Sequence, residues 1–214
     1  MKTKELNKFN ALIAVLEKQA ADNVFTFYDI ETYDFYVFNE YSVVKLYPAY
    51  YQAIQNTRPS LPGVDDLITA AKNGGGYVYR VDDKSPAAFI KLSDDTIKAV
   101  KNIAVYDHEE TTDTNIQDNN IFNDHEYKKH YFVNSDYVIA VNAAVHNAIM
   151  QLYKTLDVYP YFYSTTDVCP IVYSVPGVEM AILPIRLNQA DKIPQALKTI
   201  YKFQVLIAQK PVII

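Results

Sequence analysis

The sequence predicts an α+β fold in two domains, with helices packed on antiparallel sheets. Three observations predict it. The 214 residues include 19 Tyr and 10 Phe but no Trp and only 5 Gly. That composition suits half-buried strands and excludes collagen-like, low-complexity and disordered chains. Apolar residues recur at helical spacing in several separated stretches. A helix followed by three strands occurs at both ends of the chain, which hints at internal repetition.

Residues 4–21 read as a helix, because Leu6, Phe9, Leu12, Ile13 and Leu16 fall on one face. Asp22-Asn23 ends it. Residues 24–30, 35–38 and 41–47 read as aromatic and β-branched strands, the last closed by Pro48. Residues 50–54 fit a strand or a short helix. After the Arg58-Pro59-Ser60-Leu61-Pro62-Gly63 punctuation, 64–72 reads as a helix with Asp65 and Asp66 at its positive end. Asn73-Gly74-Gly75-Gly76 stops that helix, and 77–81 reads as a strand.

A boundary at 85/86 divides a domain of residues 1–85 from one of residues 86–187, with 188–214 as a C-terminal extension. In the second domain 87–92 reads as a strand, and Ser93 caps a helix carrying Ile97, Val100 and Ala104 on one face. Residues 107–126 hold seven acids and no Lys or Arg, which predicts a long exposed loop. Residues 128–133 read as a strand. Ser135 is expected to cap a helix running to about 156, with Val138, Val141, Val145, Ile149 and Leu152 as its stripe. Strands at 158–163, 169–174 and 179–185 follow. In the extension, 189–201 reads as helical and 203–214 as strand-like.

The formal net charge is −5, and only Arg58, Arg80 and Arg186 are arginines. Residues 1–85 carry nine basic against eleven acidic groups, 86–187 seven against thirteen, and 188–214 four against one. Such a chain is poorly suited to wrapping nucleic acid around its outside, though a locally basic face stays open. No apolar run is long enough to span a membrane. The opening residues lack a signal-peptide core, and the single cysteine, Cys169, excludes an internal disulfide. The expected setting is cytoplasmic.

Residues 128–187 carry the most specific pattern. His130-Tyr131-Phe132-Val133-Asn134-Ser135-Asp136-Tyr137-Val138-Ile139-Ala140-Val141 resembles the last strand-into-helix segment of sliding DNA clamps, the polymerase processivity factors. Asp167-Val168-Cys169-Pro170-Ile171-Val172-Tyr173 and Leu183-Pro184-Ile185-Arg186-Leu187 resemble that family's closing strands. The resemblance implies two clamp-like domains per subunit, a homotrimeric ring around duplex DNA, no catalysis and no cofactor. It implies sequence-independent phosphate contacts from inner helices, for which Lys4, Lys8, Lys18, Lys72, Lys98 and Lys101 are the candidates. It also implies a pocket for a peptide of a DNA polymerase or other replication protein, lined by Ala181, Leu183, Pro184 and Ile185.

An enzyme alternative rests on Phe27-Tyr28-Asp29-Ile30-Glu31-Thr32. An apolar strand ending in Asp-x-Glu-Thr resembles the first motif of DEDD-type 3′→5′ exonucleases, where carboxylates hold catalytic metal ions. Asp124 and Asp167 would complete the set. Two Asp-His-Glu triplets, Asp107-His108-Glu109 and Asp124-His125-Glu126, read as solvated loop rather than a metal site. Gly74-Gly75-Gly76 lacks the Lys/Ser context of a phosphate loop. Cys169 reads as a buried strand residue and His146 as packed or surface, not catalytic.

Overall fold

The computed structural model describes residues 10, 13–14, 16–17, 23–80, 86–104, 117–124, 129–133, 138–157, 159–164, 170–175, 178–185 and 187. In chain order the elements are β1 (Asn23–Tyr28), β2 (Phe35–Phe38), β3 (Ser42–Leu46), α1 (Pro48–Thr57), α2 (Val64–Lys72), β4 (Gly75–Arg80) and β5 (Ala88–Lys91). Then come α3 (Asp94–Ala104), β6 (Gln117–Asp124), β7 (Lys129–Val133), β8 (Val138–Asn142), α4 (Ala143–Leu156), β9 (Tyr161–Tyr163), β10 (Ile171–Val175) and β11 (Val178–Ile182). Asn10, Ile13, Ala14, Leu16 and Glu17 are helical ahead of β1. The fold is mixed α+β, and among the described residues no helix is long and apolar enough to cross a membrane.

Eight strands form one antiparallel sheet in the order β5-β4-β1-β2-β3-β11-β10-β9, and β6-β7-β8 form a second. The two terminal meanders, β1-β2-β3 and β9-β10-β11, meet third strand to third strand. Val44 pairs with Met180 and Lys45 with Glu179 along that seam. The large sheet is covered on both faces, which explains why β2 is buried at all four positions. Phe35, Val37, Val44, Leu46, Tyr173 and Met180 point into the main core with α2's Leu67 and α4's Val145 and Ile149. Phe27, Tyr36, Phe38 and Val43 point the other way, where α3 lays Val100 on them. Phe35 stacks on Tyr51 of α1 with centroids 4.6 Å apart. Tyr28, Tyr36, Tyr79, Tyr131, Tyr163 and Tyr173 are buried strand residues, where aromatic rings supply large apolar area.

Helix ends follow local chemistry. The α2 helix has the expected bounds, with Asp65 and Asp66 in its first turn. Gly74 takes φ 72 just beyond its end, a conformation glycine adopts without a Cβ clash. Ser93 caps α3 as expected, its Oγ accepting the Thr96 N–H at 3.1 Å. At 50–54 the helix wins, because Pro48 occupies the first turn of α1, where its missing N–H costs nothing.

Two expectations are corrected. The helix expected from Ser135 begins only at Ala143. Val138, Ile139, Ala140 and Val141 are strand β8, paired with β7. All four are buried, Ile139 and Val141 in the main core and Val138 and Ala140 against the other face of the small sheet. A strand covered on both faces loses the alternation that identifies it, and its valines happened to continue the helical stripe. The real cap is Asn142, whose side chain accepts the Ala144 N–H at 2.9 Å. Within the expected loop of 107–126, residues 117–124 form β6, paired with β7 across a register shift between Asn119 and Asp124. Backbone pairing with a neighbouring strand, not side-chain pattern, sets that element.

Candidate functional site

The β2–β3 turn and the end of β11 together shape a small hollow. Asn39 builds one wall. Its Oδ1 accepts the Tyr41 and Ser42 N–H groups, both at 2.8 Å, and its Nδ2 donates to the Leu16 carbonyl at 2.9 Å. This asparagine turn lifts Tyr41 outward, leaving it 51% exposed. On the other side the Leu183 N–H donates to the Tyr41 carbonyl at 2.8 Å. Leu183 itself is 40% exposed. Asn39, Glu40, Tyr41, Ser42, Val43, Pro170, Ala181 and Leu183 line the hollow, whose volume is about 30 Å³.

The expected peptide-pocket residues divide. Ala181 and Leu183 line the hollow. Pro184 is half-buried. Ile185 instead donates its N–H to the Ala140 carbonyl at 2.7 Å and packs on Tyr131, Val133 and Val138 of the small sheet. Tyr41, Asn39 and Pro170 escaped sequence reasoning. The Asn39-Glu40-Tyr41-Ser42 tetrapeptide between two aromatic runs was the available signal for a shaped turn.

A second constellation lies where β1 ends. Asp29 is buried and shapes the turn into β2. Its Oδ1 accepts the Glu31 N–H at 3.0 Å and its Oδ2 the Thr32 hydroxyl at 3.1 Å. Lys101 of α3 places Nζ 2.9 Å from Asp29 Oδ2 and 2.6 Å from Glu31 Oε2. Burial pulls the Asp29 carboxyl upward, but Lys101 and the two hydrogen bonds outweigh it and hold the group below its ordinary value. Hydrogen bonds to Glu31 and Asp29 raise Lys101 against the effect of burial. Nearby, Lys45 lies 3.4 Å from Asp34 and 3.7 Å from Glu179, the latter across the β3–β11 seam. Burial, then Asp34, Asp29 and Glu179, push the Tyr36 phenol upward.

The structure therefore joins residues from two different expectations. Asp29 and Glu31 of the exonuclease alternative close on Lys101 of the DNA-facing set. A lysine ammonium takes the position between the carboxylates. Asp124 belongs to β6 of the other sheet, and Asp167 lies outside the described residues. Among the described residues no three His, Cys, Asp or Glu side chains are placed to hold a metal ion. Of the remaining lysines, Lys72 is exposed on α2 and Lys98 on α3. Those helices bury Leu67 and Val100 against opposite faces of the large sheet. Lys4, Lys8 and Lys18 lie outside the described residues, as do Cys169 and the first Asp-His-Glu triplet.

His146 is buried, as one of its two expected settings had it. Its ring stacks on His130 with centroids 3.5 Å apart, and its Nδ1 lies 2.9 Å from the Tyr173 hydroxyl. Tyr153 donates to the Tyr173 carbonyl at 3.1 Å. This group ties α4 and β7 to the large sheet. Compared with known proteins, the chain matches no family model, no curated protein and no solved structure.

Proposed function

We propose that this chain is a non-catalytic, clamp-fold interaction protein of the sliding-clamp type. In this reading residues 1–85 and 86–187 are two clamp-like domains. Three subunits join edge to edge, enclose duplex DNA without reading its sequence, and recruit a DNA polymerase or another replication protein. The observation that carries the reading is the hollow at the sheet seam, where Tyr41 and Leu183 present exposed apolar surface on a rigid, hydrogen-bonded frame. At about 30 Å³ the hollow has room for about one water, so an apolar peptide would rest on the exposed Tyr41 and Leu183 side chains rather than enter a pocket. The strand-into-helix resemblance of residues 130–141 lends the reading nothing, since Val138–Asn142 is a strand. The resemblance of the closing-strand motifs and the long antiparallel sheet support it. So do β5 and β9, which end that sheet with no further described strand beyond them.

Retention on DNA tests the proposal. A ring stays on nicked circular duplex and slips from linear duplex of equal length, with retention weakening as salt rises. Equal retention on both forms, or a monomeric mass in solution, refutes the ring. A second reading is a clamp-fold protein that does not bind DNA. It is favoured by the ion-paired Lys101 and by Lys72 and Lys98 on opposite faces of the sheet. It predicts partner docking that survives with no salt-sensitive DNA association. The exonuclease reading gains nothing from an Asp29 already bonded to Glu31, Thr32 and Lys101. Its check is nuclease activity with Mg²⁺ or Mn²⁺ that disappears in Asp29→Ala.

A further inference from the structure

A cleft of about 720 Å³ opens between the end of α1, the turn after it and the end of β4. That volume matches a small-molecule site. Two of the chain's three arginines, Arg58 and Arg80, line it. Arg58 is held like a fork. Its Nε donates to Asn10 Oδ1 at 3.3 Å, its Nη2 to the Asn10 carbonyl at 3.0 Å, and its Nη1 to Glu17 Oε1. Glu17 is fixed in turn by the Tyr79 hydroxyl, which donates to it at 2.8 Å. These bonds use three of the five guanidinium N–H donors and leave two. Arg80, on the rim, is exposed and makes no ion pair among the described residues.

We infer that this cleft binds a phosphate monoester of nucleotide size, gripped by Arg58 and Arg80. Among the lining residues Glu17 pairs with Arg58, and Arg80 adds a positive charge with no carboxylate beside it there, so the described walls favour an anion. A guanidinium fork binds carboxylate and phosphate alike, and a phosphate offers further oxygens to additional donors. Here the lining draws on separate elements: Arg58 closing α1, Ser60 in the turn, and Arg80 ending β4. That spread suits the tetrahedral oxygens of a phosphate. Pro59 and Pro86 add apolar wall against which the rest of the ester packs. The inference stands independently of the clamp reading, since it uses neither the hollow nor the ring.

The test is calorimetric titration of the full chain with adenosine 5′-monophosphate, with adenosine and inorganic phosphate as separate arms. The expected result is saturable binding of the monophosphate, competition by inorganic phosphate, and no binding of adenosine. Arg58 also ties α1 to residues 10 and 17, so Arg80→Gln is the deciding variant. It should keep the wild-type melting temperature and weaken the monophosphate about tenfold, the worth of one charge-assisted hydrogen bond. Three results overturn the inference. These are no saturable monophosphate binding to the wild type, equal affinity in Arg80→Gln, and adenosine binding as tightly as its monophosphate. A short DNA duplex that binds in an Arg80-dependent way while the monophosphate does not also overturns it, assigning the arginines to a nucleic-acid contact.

Discussion

Replacing Lys101 by Met tests whether α3 is latched to the β1–β2 turn by charge. The variant keeps most of the alkyl stem and its packing. It removes the ammonium 2.9 Å from Asp29 Oδ2. At that distance, with an effective dielectric of about 20, the attraction is about 6 kcal/mol before desolvation. The Asp29 side chain is 3% exposed and that of Lys101 24%, so desolvation cancels much of it. What remains is about 2 kcal/mol, the worth of one charge-assisted hydrogen bond. The Glu31 contact adds little, because its carboxylate is 76% exposed. Urea denaturation near neutral pH should therefore show a loss of about 2 kcal/mol with an unchanged slope.

The pH dependence has a definite sign. Asp29 titrates below its ordinary value when folded, so its contribution is present above the unfolded carboxylate range and fades as pH falls through the lowered folded value. Lys101 is raised, so its contribution is present below the unfolded lysine value and fades as pH rises through the raised one. The difference between wild type and Lys101→Met should be full near neutral pH and shrink as pH falls through the carboxylate range, where the buried Asp29 of the variant, without Lys101, takes up its proton first. A double-mutant cycle with Asp29→Asn should recover part of the loss, because no unpaired buried charge is left. A loss under about 0.5 kcal/mol, typical of an exposed charge, refutes the latch and returns Lys101 to the surface cations available to a phosphate.

Four other substitutions have definite outcomes. Gly76→Ala puts a Cβ 2.3 Å from the Thr26 carbonyl oxygen, in a strand paired on both sides. Thermal unfolding should show a loss of about 2–3 kcal/mol from this overpacking. Tyr153→Phe removes the donor to the buried Tyr173 carbonyl and should cost about 1–2 kcal/mol in urea. Tyr41→Ala and Leu183→Asp change exposed side chains and should leave stability within about 0.5 kcal/mol. Under the proposed clamp reading, each should weaken partner docking at least about tenfold, read as shortened primer-extension products with a recruited polymerase.

Elements with a local cause were legible in the sequence. The α2 helix follows from two first-turn acids and a glycine stop, and α3 from the Ser93 cap; both bring their own signals. The three strands of the first meander announce themselves through aromatic and β-branched runs. The β8 strand was not legible, because its neighbours cover both faces and erase the period-two pattern. Nor was the closure of Asp29 on Lys101, since the residues lie on elements far apart in sequence and meet only when α3 settles on the large sheet. The hollow was half legible. Ala181 and Leu183 came from a C-terminal string, whereas Tyr41 reaches them only through the β3–β11 pairing.

That pairing is where fold and proposed function meet. The seam joins the third strand of the N-terminal meander to the third strand of the C-terminal one. Lys45 faces Glu179 directly across it and reaches Asp34 at the start of β2. One lysine thus holds a carboxylate from each meander. The same seam brings Tyr41 beside Leu183, with the backbone bond between them as its last rung. A slip of β11 by one residue against β3 would turn Ala181 into the main core and send Met180 to the opposite face, a change the packing of both faces opposes. The hollow therefore exists only in the correctly registered sheet. A partner that docks there binds the paired meanders and not either one alone, so docking and seam integrity are thermodynamically linked.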